Sequence, residues 1–550
     1  MKRNTKADGL RRRDFLQLSG AAGMGLMLPS FSASAFNHKI HHKAGYEKIV
    51  PEIFVPTPSP PSHTKAIVIG SGFGGAISAL RLAQAGIQTT VLERGLRWPR
   101  DPNREIFPVD WRPDGRGYWR RNAVALISGK PIPIDYFNGV FDESAYPYIK
   151  VWRGACVGGG SMVFTGCMIE PEQQYFEAIF GNVVNYNEMH QTYYPLVRQM
   201  LNLTQMPTDI YNSDPFAHSR VWDQQVTAAG YAITKSETIF NWDIIRQELA
   251  GTSRPSATAG QSNLGNSNGA KFDLNQNYIK QAEATGLATV YPSMEVMGIS
   301  QNAQGQYLVD ISNTDPFGSE LKRFTISCDY LFLGAGSIGT SELLVRARAR
   351  GDLPKLNEYI GQGWGGNGDT IVIRTGSYAC GPGRTQGTPS ASRIIDKSQR
   401  QPVTLENWYA LDIPENLGIC GSLGMVFDQD NRGSFSYDSS TDKVTLDFPK
   451  NGNDDVVAQT RVVNNKICHA ANAHPGILGQ DDVNGRFTAH PLGGAVIGLA
   501  TDNYGRVAGY KGLYVMDGAL IPGTTGAVNP SLTISALAER NIAQIIKTGY

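Results

Sequence analysis

Charge nearly cancels in this chain: 50 Lys and Arg stand against 49 Asp and Glu, a net of +1. Nucleic-acid binders carry a strong basic footprint, so nucleic acid is excluded as a partner. Cysteine is scarce. The six residues (Cys156, Cys167, Cys328, Cys380, Cys420, Cys468) show no C-x-x-C and no Cys/His cluster at zinc spacing, so no metal centre is expected and the thiols read as small buried hydrophobes. Beyond Lys65 there is no internal repeat and no low-complexity tract. Long apolar runs are missing too. The mild one from Phe15 to Phe31 is broken by three glycines and falls short of the ~20 apolar residues a membrane span needs.

What that run does have is a basic start and a small-residue end. Arg12-Arg13-Asp14-Phe15-Leu16 reads as a twin-arginine signal, with cleavage expected near Ala35 and export to the periplasm or beyond. Residues 36–63, with "PTPSPPSH" at their end, read as an extended linker or surface arm, and His38, His41 and His42 as part of a solvated tail. At 550 residues the chain exceeds one compact core, which stops growing near ~250–300 residues, so two joined domains are expected. Glycine is abundant, 61 residues in short clusters, which suggests backbone approaching a ligand at several places. The polar passage 250–269 is too long for an ordinary connection and reads as functional or mobile.

"KAIVIGSGFGGAISALRLAQAGIQTTVLERG" (65–95) combines a strand, G-x-G-x-x-G at Gly70, Gly72 and Gly75, a helix, and a second strand ending in Glu93, 18 residues past Gly75. The first glycine allows the turn, the second admits a pyrophosphate, the third lets helix pack on strand, and the acid accepts from ribose hydroxyls. NAD and FAD share this unit, so it does not choose between them. A second glycine-dense turn carries Gly158, Gly159, Gly160 and Ser161, and "DYLFLGAGSIGTSELLVRA" (329–347) is another strand–turn–helix unit.

With "VGGGS", "LFLGAGS", "GWGGNGD" (363–369), "RGSFSYD" (432–438), "HPLGG" (490–494), "GLYVMDG" and "VNPSLTISALAERN" added, the chain from Lys65 to Ile546 resembles the glucose-methanol-choline (GMC) family of FAD oxidoreductases. Within it the wording is similar to that of the bacterial cholesterol oxidases with non-covalent FAD. The resemblance implies an α/β fold: a discontinuous Rossmann-like FAD-binding domain (64–105, 140–165, 270–364 and 505–550) and an interleaved α+β substrate domain on a large mixed sheet (106–139, 166–269 and 365–504). It extends the cofactor site to Phe73, Gly74, Gly154, Val296, Gly336, Asp517, Gly518, Asn529 and Pro530. The glycine turn offers no histidine for a covalent flavin bond, so FAD is expected to be held non-covalently.

An alcohol-oxidising flavoprotein needs one group to handle the hydroxyl proton while the carbon gives up hydride. Imidazole suits that task. The match to "HPLGG" singles out His490, while His190, His218, His469 and His474 read as structural. Asn529 precedes Pro530, which excludes the helical region for it, and the resemblance gives it and His490 a shared alcohol oxygen. It also implies a carboxylate base for double-bond migration, for which Asp412 in "LDIPENLG" is the nearest match and Glu415 and Glu406 compete. Phe164, Thr165 and Ser531 depart from the subgroup's wording. The resulting expectation is oxidation of a 3β-hydroxysteroid such as cholesterol to the 3-ketone by oxygen, giving hydrogen peroxide, with Δ5 to Δ4 isomerisation as a further step. A flavin alcohol dehydrogenase acting on a non-sterol substrate with another acceptor is the alternative. A monomer is expected, touching a membrane surface only transiently.

Overall fold

A short β-branched run can be buried on both faces, and His63–Ile69 (HTKAIVI) is so placed at the centre of a seven-stranded sheet. The computed structural model describes residues 43–125, 131–410, 413, 415–476 and 486–549. The leader, His38, His41, His42 and Asp412 lie outside the described residues. Thr89–Leu92 and Ala288–Tyr291 extend the sheet on one side, and Glu320–Leu333 and Leu513–Val515 on the other, all parallel. Tyr307–Thr314 and Met294–Gln301 add antiparallel strands beside Glu320–Leu333, so the sheet is mixed. Its strands come from three separate parts of the chain. The helices Phe73–Gln84 and Ser531–Thr548 are tied by a bidentate ion pair, Arg81 Nε and Nη2 each 2.7 Å from a Glu539 oxygen.

A second sheet of six strands runs in the order His474–Pro475, Asp369–Thr375, Cys420–Val426, Val403–Trp408, Ser392–Asp396, Thr234–Lys235, antiparallel throughout. Helices Ala217–Ala228 and Asp454–Ala470 cover one face, where Val403, Leu405 and Val426 are buried with Trp222, Val226 and Val463. Side chains alternate across a strand, so Asp369, Glu406, Trp408 and Leu423 belong to the other face. The register places Leu423 directly between Ile371 and Glu406. A one-residue slip would turn both carboxylates toward the helices.

Two stretches differ from the sequence reading. From Lys43 the expected linker forms a helix, Lys43–Ile49, and a 3₁₀ turn, Pro51–Phe54. Tyr46, Val50 and Ile53, at i, i+4 and i+7, are buried with Trp98, Phe107 and Phe137, and the Tyr46 hydroxyl accepts from the Gly115 N–H at 3.2 Å. The prolines after this helix masked its period. The passage 250–269 is gathered around the buried Glu248 carboxylate, which accepts from the N–H groups of Ser256, Ala257 and Thr258, the Thr258 hydroxyl and the Asn268 amide. Its polar residues are a hydrogen-bonded plug, and Asn263 on it reaches the cavity described next.

Candidate active site

The turn after His63–Ile69 delivers the chain to the N-terminus of Phe73–Gln84, whose first N–H groups lack partners within the helix and favour an anion. The glycines there have different reasons. A Cβ on Gly75 would stand 2.0 Å from the Gly70 carbonyl oxygen, so this glycine serves helix-on-strand packing. A Cβ on Gly72 would meet nothing within 4 Å. That bare backbone faces a cavity of about 310 Å³, lined also by Gly70, Phe73, Gly74, Gly154, Gly159 and Gly160. Glu93, Val296, Gly336, Asp517, Gly518, His490, Asn529 and Pro530 line it as well.

Three expected cofactor contacts stand behind the wall. Gly75 is one; Gly158 and Ser161 are the others, because Gly158 N–H donates to Ser71 Oγ at 3.0 Å while Ser161 Oγ donates to Gly158 O at 2.7 Å and accepts from Leu274 N at 3.2 Å. They shape the turn that Gly159 and Gly160 present. Glu93 is partly committed as well, Oε2 accepting from Ser71 N and Oγ at 3.1 and 2.6 Å and Oε1 from Gly95 N at 3.0 Å. Burial pushes the Asp517 carboxyl up to about 6, against the pull of donors on Thr340, Ala519 and Gly336.

Asp369 is fully buried at the start of its strand. Its Oδ1 lies 2.8 Å from His490 Nδ1, and its Oδ2 accepts from Ala489 N at 2.9 Å and Thr488 Oγ1 at 3.0 Å. A carboxylate can only accept, so it fixes the His490 proton on Nδ1 and leaves Nε2 free to accept. Burial lowers the basicity of His490, but the Asp369 and Glu406 charges outweigh it and the net pKa is raised.

Glu406 is completely buried. Asn529 Nδ2 donates to its Oε2 at 3.3 Å and Cys167 Sγ to its Oε1 at 3.6 Å. Desolvation raises its pKa, only partly offset by Asn529, His490, Arg393 and Cys167. Because Nδ2 is engaged, Asn529 keeps Oδ1, a buried acceptor with no partner among the described residues. Such an atom costs about 1–3 kcal/mol unless a ligand or water satisfies it. Of the carboxylates weighed for the base, Asp412 lies outside the described residues and Glu415 is exposed, and among the described residues Glu406 is the one that meets Asn529.

Sequence reasoning passed over Asp369, which sits in "GWGGNGD" with no role attached, and read Cys167 as inert. Asn263, Trp408 and Leu423 on the cavity wall carried no local signal. The departures Phe164, Thr165 and Ser531 all line the cavity, and Phe164 meets Phe73 edge-on at 5.6 Å. Behind Phe164, the buried Lys271 ammonium donates to the carbonyls of Met162 (3.1 Å), Phe164 (2.6 Å) and Ser262, joining the glycine turn to the polar plug.

Residues 436–538 match the family model described as GMC oxidoreductase. The chain carries the C-terminal domain of the GMC oxidoreductases. It is similar to a cholesterol oxidase of Mycobacterium tuberculosis, 27% identical over 541 residues covering 86% of this chain and 89% of that protein. A cholesterol oxidase of Acinetobacter baumannii is 24% identical, covering 87% and 94%. Among solved structures, pyridoxine 4-oxidase from Mesorbium loti aligns with a TM-score of 0.60 at 15% identity, covering 88% of this chain and 100% of that one. Formate oxidase of Aspergillus oryzae aligns at 0.59 and 13%, covering 89% and 99%. The fold is thus the α/β fold of these solved oxidases. FAD is the group named with the formate oxidase, and the cavity fits such a group: bare glycine backbone at a helix N-terminus suits a pyrophosphate, the Glu93 carboxylate suits ribose hydroxyls, and Asn529 Oδ1 has no partner among the described residues.

Proposed function

We propose that this chain oxidises the 3β-hydroxyl of a sterol to the ketone, passes the electrons to oxygen to give hydrogen peroxide, and moves the Δ5 double bond to Δ4. One observation carries the reading. Alcohol oxidation needs a single proton acceptor, yet two bases stand together here: His490 on the cavity wall, backed by Asp369, and Glu406 behind the wall, joined to the lining residue Asn529. A second, buried carboxylate whose pKa is raised is suited to removing a proton from carbon and returning it. The curated relatives named cholesterol oxidase support the sterol assignment.

FAD, when bound, supplies the two-electron acceptor for the carbinol carbon. Gly72 and the helix N-terminus would hold its pyrophosphate, with Glu93 and Val296 at the nucleoside. His490 Nε2 takes the hydroxyl proton, and the Asp369 carboxylate steadies the imidazolium that results. Asn529 bears on the site through Glu406, whose Oε2 its Nδ2 holds. Glu406 then takes a proton from C4 of the Δ5-ketone and delivers it to C6; the double bond moves into conjugation with no change in oxidation level. Trp408, Leu423 and Trp152 give the cavity apolar surface that a ring system can cover. We also propose export by the twin-arginine route, on the leader alone.

The test supplies cholesterol to the yellow holoenzyme and follows peroxide, reduction of an artificial dye and the ultraviolet absorbance of the conjugated enone. Peroxide with enone is expected, and Glu406→Gln should still make peroxide while releasing the unconjugated ketone. Dye reduction without peroxide, or turnover of other alcohols but no sterol, overturns the reading.

A further inference from the structure

The Glu406 carboxylate sits on a strand whose neighbours are already spoken for by backbone pairing, so only side chains can orient it. From Val403–Trp408 it faces four groups, each from a different part of the chain: Asn529 before the last helix, His490 after the Phe487–Thr488 strand, Arg393 directly opposite on Ser392–Asp396, and Cys167 beyond the glycine turn. Among the described residues its two hydrogen-bond donors are Asn529 Nδ2 on Oε2 and Cys167 Sγ on Oε1. Each oxygen therefore has one donor. Loss of the one on Oε1 frees the carboxylate to turn, and a turned carboxylate releases the Asn529 amide as well.

We propose that Cys167 is a positioning residue of this site, its S–H donating to Glu406 Oε1 and holding the carboxylate in the orientation from which Oε2 engages Asn529. The inference rests on the reading of Glu406 as the proton-transfer base. Cys167 is held for this duty by its backbone. Its neighbours pair on both sides, Ile239 N donating to Gly166 O and Met168 N to Glu237 O, and the residue itself bridges to Thr238. The sulfur is buried with Ile169 and Val528. Packing alone would be served by any apolar side chain of this size; a hydrogen for Oε1 would not. Burial, followed by the Glu406 charge, keeps the thiol far above its ordinary pKa despite Arg393 and the Ser236 hydroxyl, so it stays a neutral donor. A donor to the charged form favours that form. Removing it raises the pH at which Glu406 becomes competent.

The experiment feeds a Δ5-3-ketosteroid to the holoenzyme without oxygen and records enone formation against pH, which isolates Glu406 from the oxidation. Cys167→Val keeps the volume and loses the donor; the acid limb of the profile should move up by about 0.5–1 pH unit, with the rate below the limb reduced about 3–10-fold. Cys167→Ser keeps a donor and should return the limb to the wild-type position. Should Cys167→Val not accumulate, Cys167→Ala carries the same expectation. A limb unmoved in Cys167→Val or Cys167→Ala, or moved equally in Cys167→Ser, overturns the proposal. Glu406→Gln distinguishes this from failure of the underlying reading: if that variant isomerises normally, Glu406 is not the base.

Discussion

Replacing Asp369 by Asn exchanges one oxygen for an amide nitrogen, and the surroundings decide which. Ala489 N–H and the Thr488 hydroxyl both point at Oδ2, and a backbone N–H cannot reverse its polarity, so the amide oxygen must face them. The NH₂ is left where Oδ1 stood, 2.8 Å from His490 Nδ1. A donor at that position drives the imidazole proton to Nε2, the atom that takes the alcohol proton in the proposed reaction. Loss of the charge-assisted bond alone is worth about 1.5–3 kcal/mol, roughly 10–150-fold in rate; with the wrong tautomer added, flavin reduction should fall about 10²–10⁴-fold. The pH profile should carry a second signature. In the wild type burial lowers the His490 pKa and the Asp369 and Glu406 charges outweigh it, so the limb lies above the ordinary histidine value, and the rate rises with pH through it because the protonated ring cannot accept. With Asp369 neutralised burial prevails, and the limb should move to lower pH even as the plateau drops. Anaerobic stopped-flow bleaching of the flavin absorbance reads both. A variant reduced within about threefold of the wild-type rate, or a limb displaced upward, refutes the reasoning.

Two glycines of one motif should respond oppositely. Gly74→Ala puts a Cβ 1.7 Å from the Met516 carbonyl oxygen and should lower Tm outright, whereas Gly72→Ala, with nothing within 4 Å, should keep the Tm of the apoprotein and weaken FAD binding, measured by titrating apoprotein with FAD. Lys271→Met strips the donor from three buried carbonyls and should cost about 3 kcal/mol or more, seen as a lower denaturant midpoint; an unchanged midpoint would show that water replaces the ammonium. Acid precipitation of the holoenzyme should release the yellow colour into the supernatant, and flavin retained by the pellet would mean a covalent bond. Changing Arg12 and Arg13 together to Lys should leave flavin-loaded protein in the cytoplasm; normal export of that variant would exclude the twin-arginine route.

The dinucleotide clamp could be read from the sequence because strand, turn, helix, strand and acid follow one another within 65–95, and each of those local preferences is decided by residues a few positions apart. His490 and Asn529 were singled out only because short motifs around them resemble those of a family. The arm at Lys43–Ile49 was misjudged because its apolar spacing is brief and proline follows, so burial under Trp98 and Phe137, not propensity, makes it a helix. The pairings that give the candidate site its chemistry had no local signal at all. Asp369 meets His490 across 121 positions, Asn529 meets Glu406 across 123, and Cys167 meets Glu406 across 239. What brings them together is the antiparallel register of Asp369–Thr375, Cys420–Val426 and Val403–Trp408, which selects the face each side chain takes. The sequence by itself determined a glycine turn at Gly72 suited to a phosphorylated cofactor; only the tertiary structure decided which described carboxylate stands beside Asn529, because facing is a property of paired strands and not of any one of them.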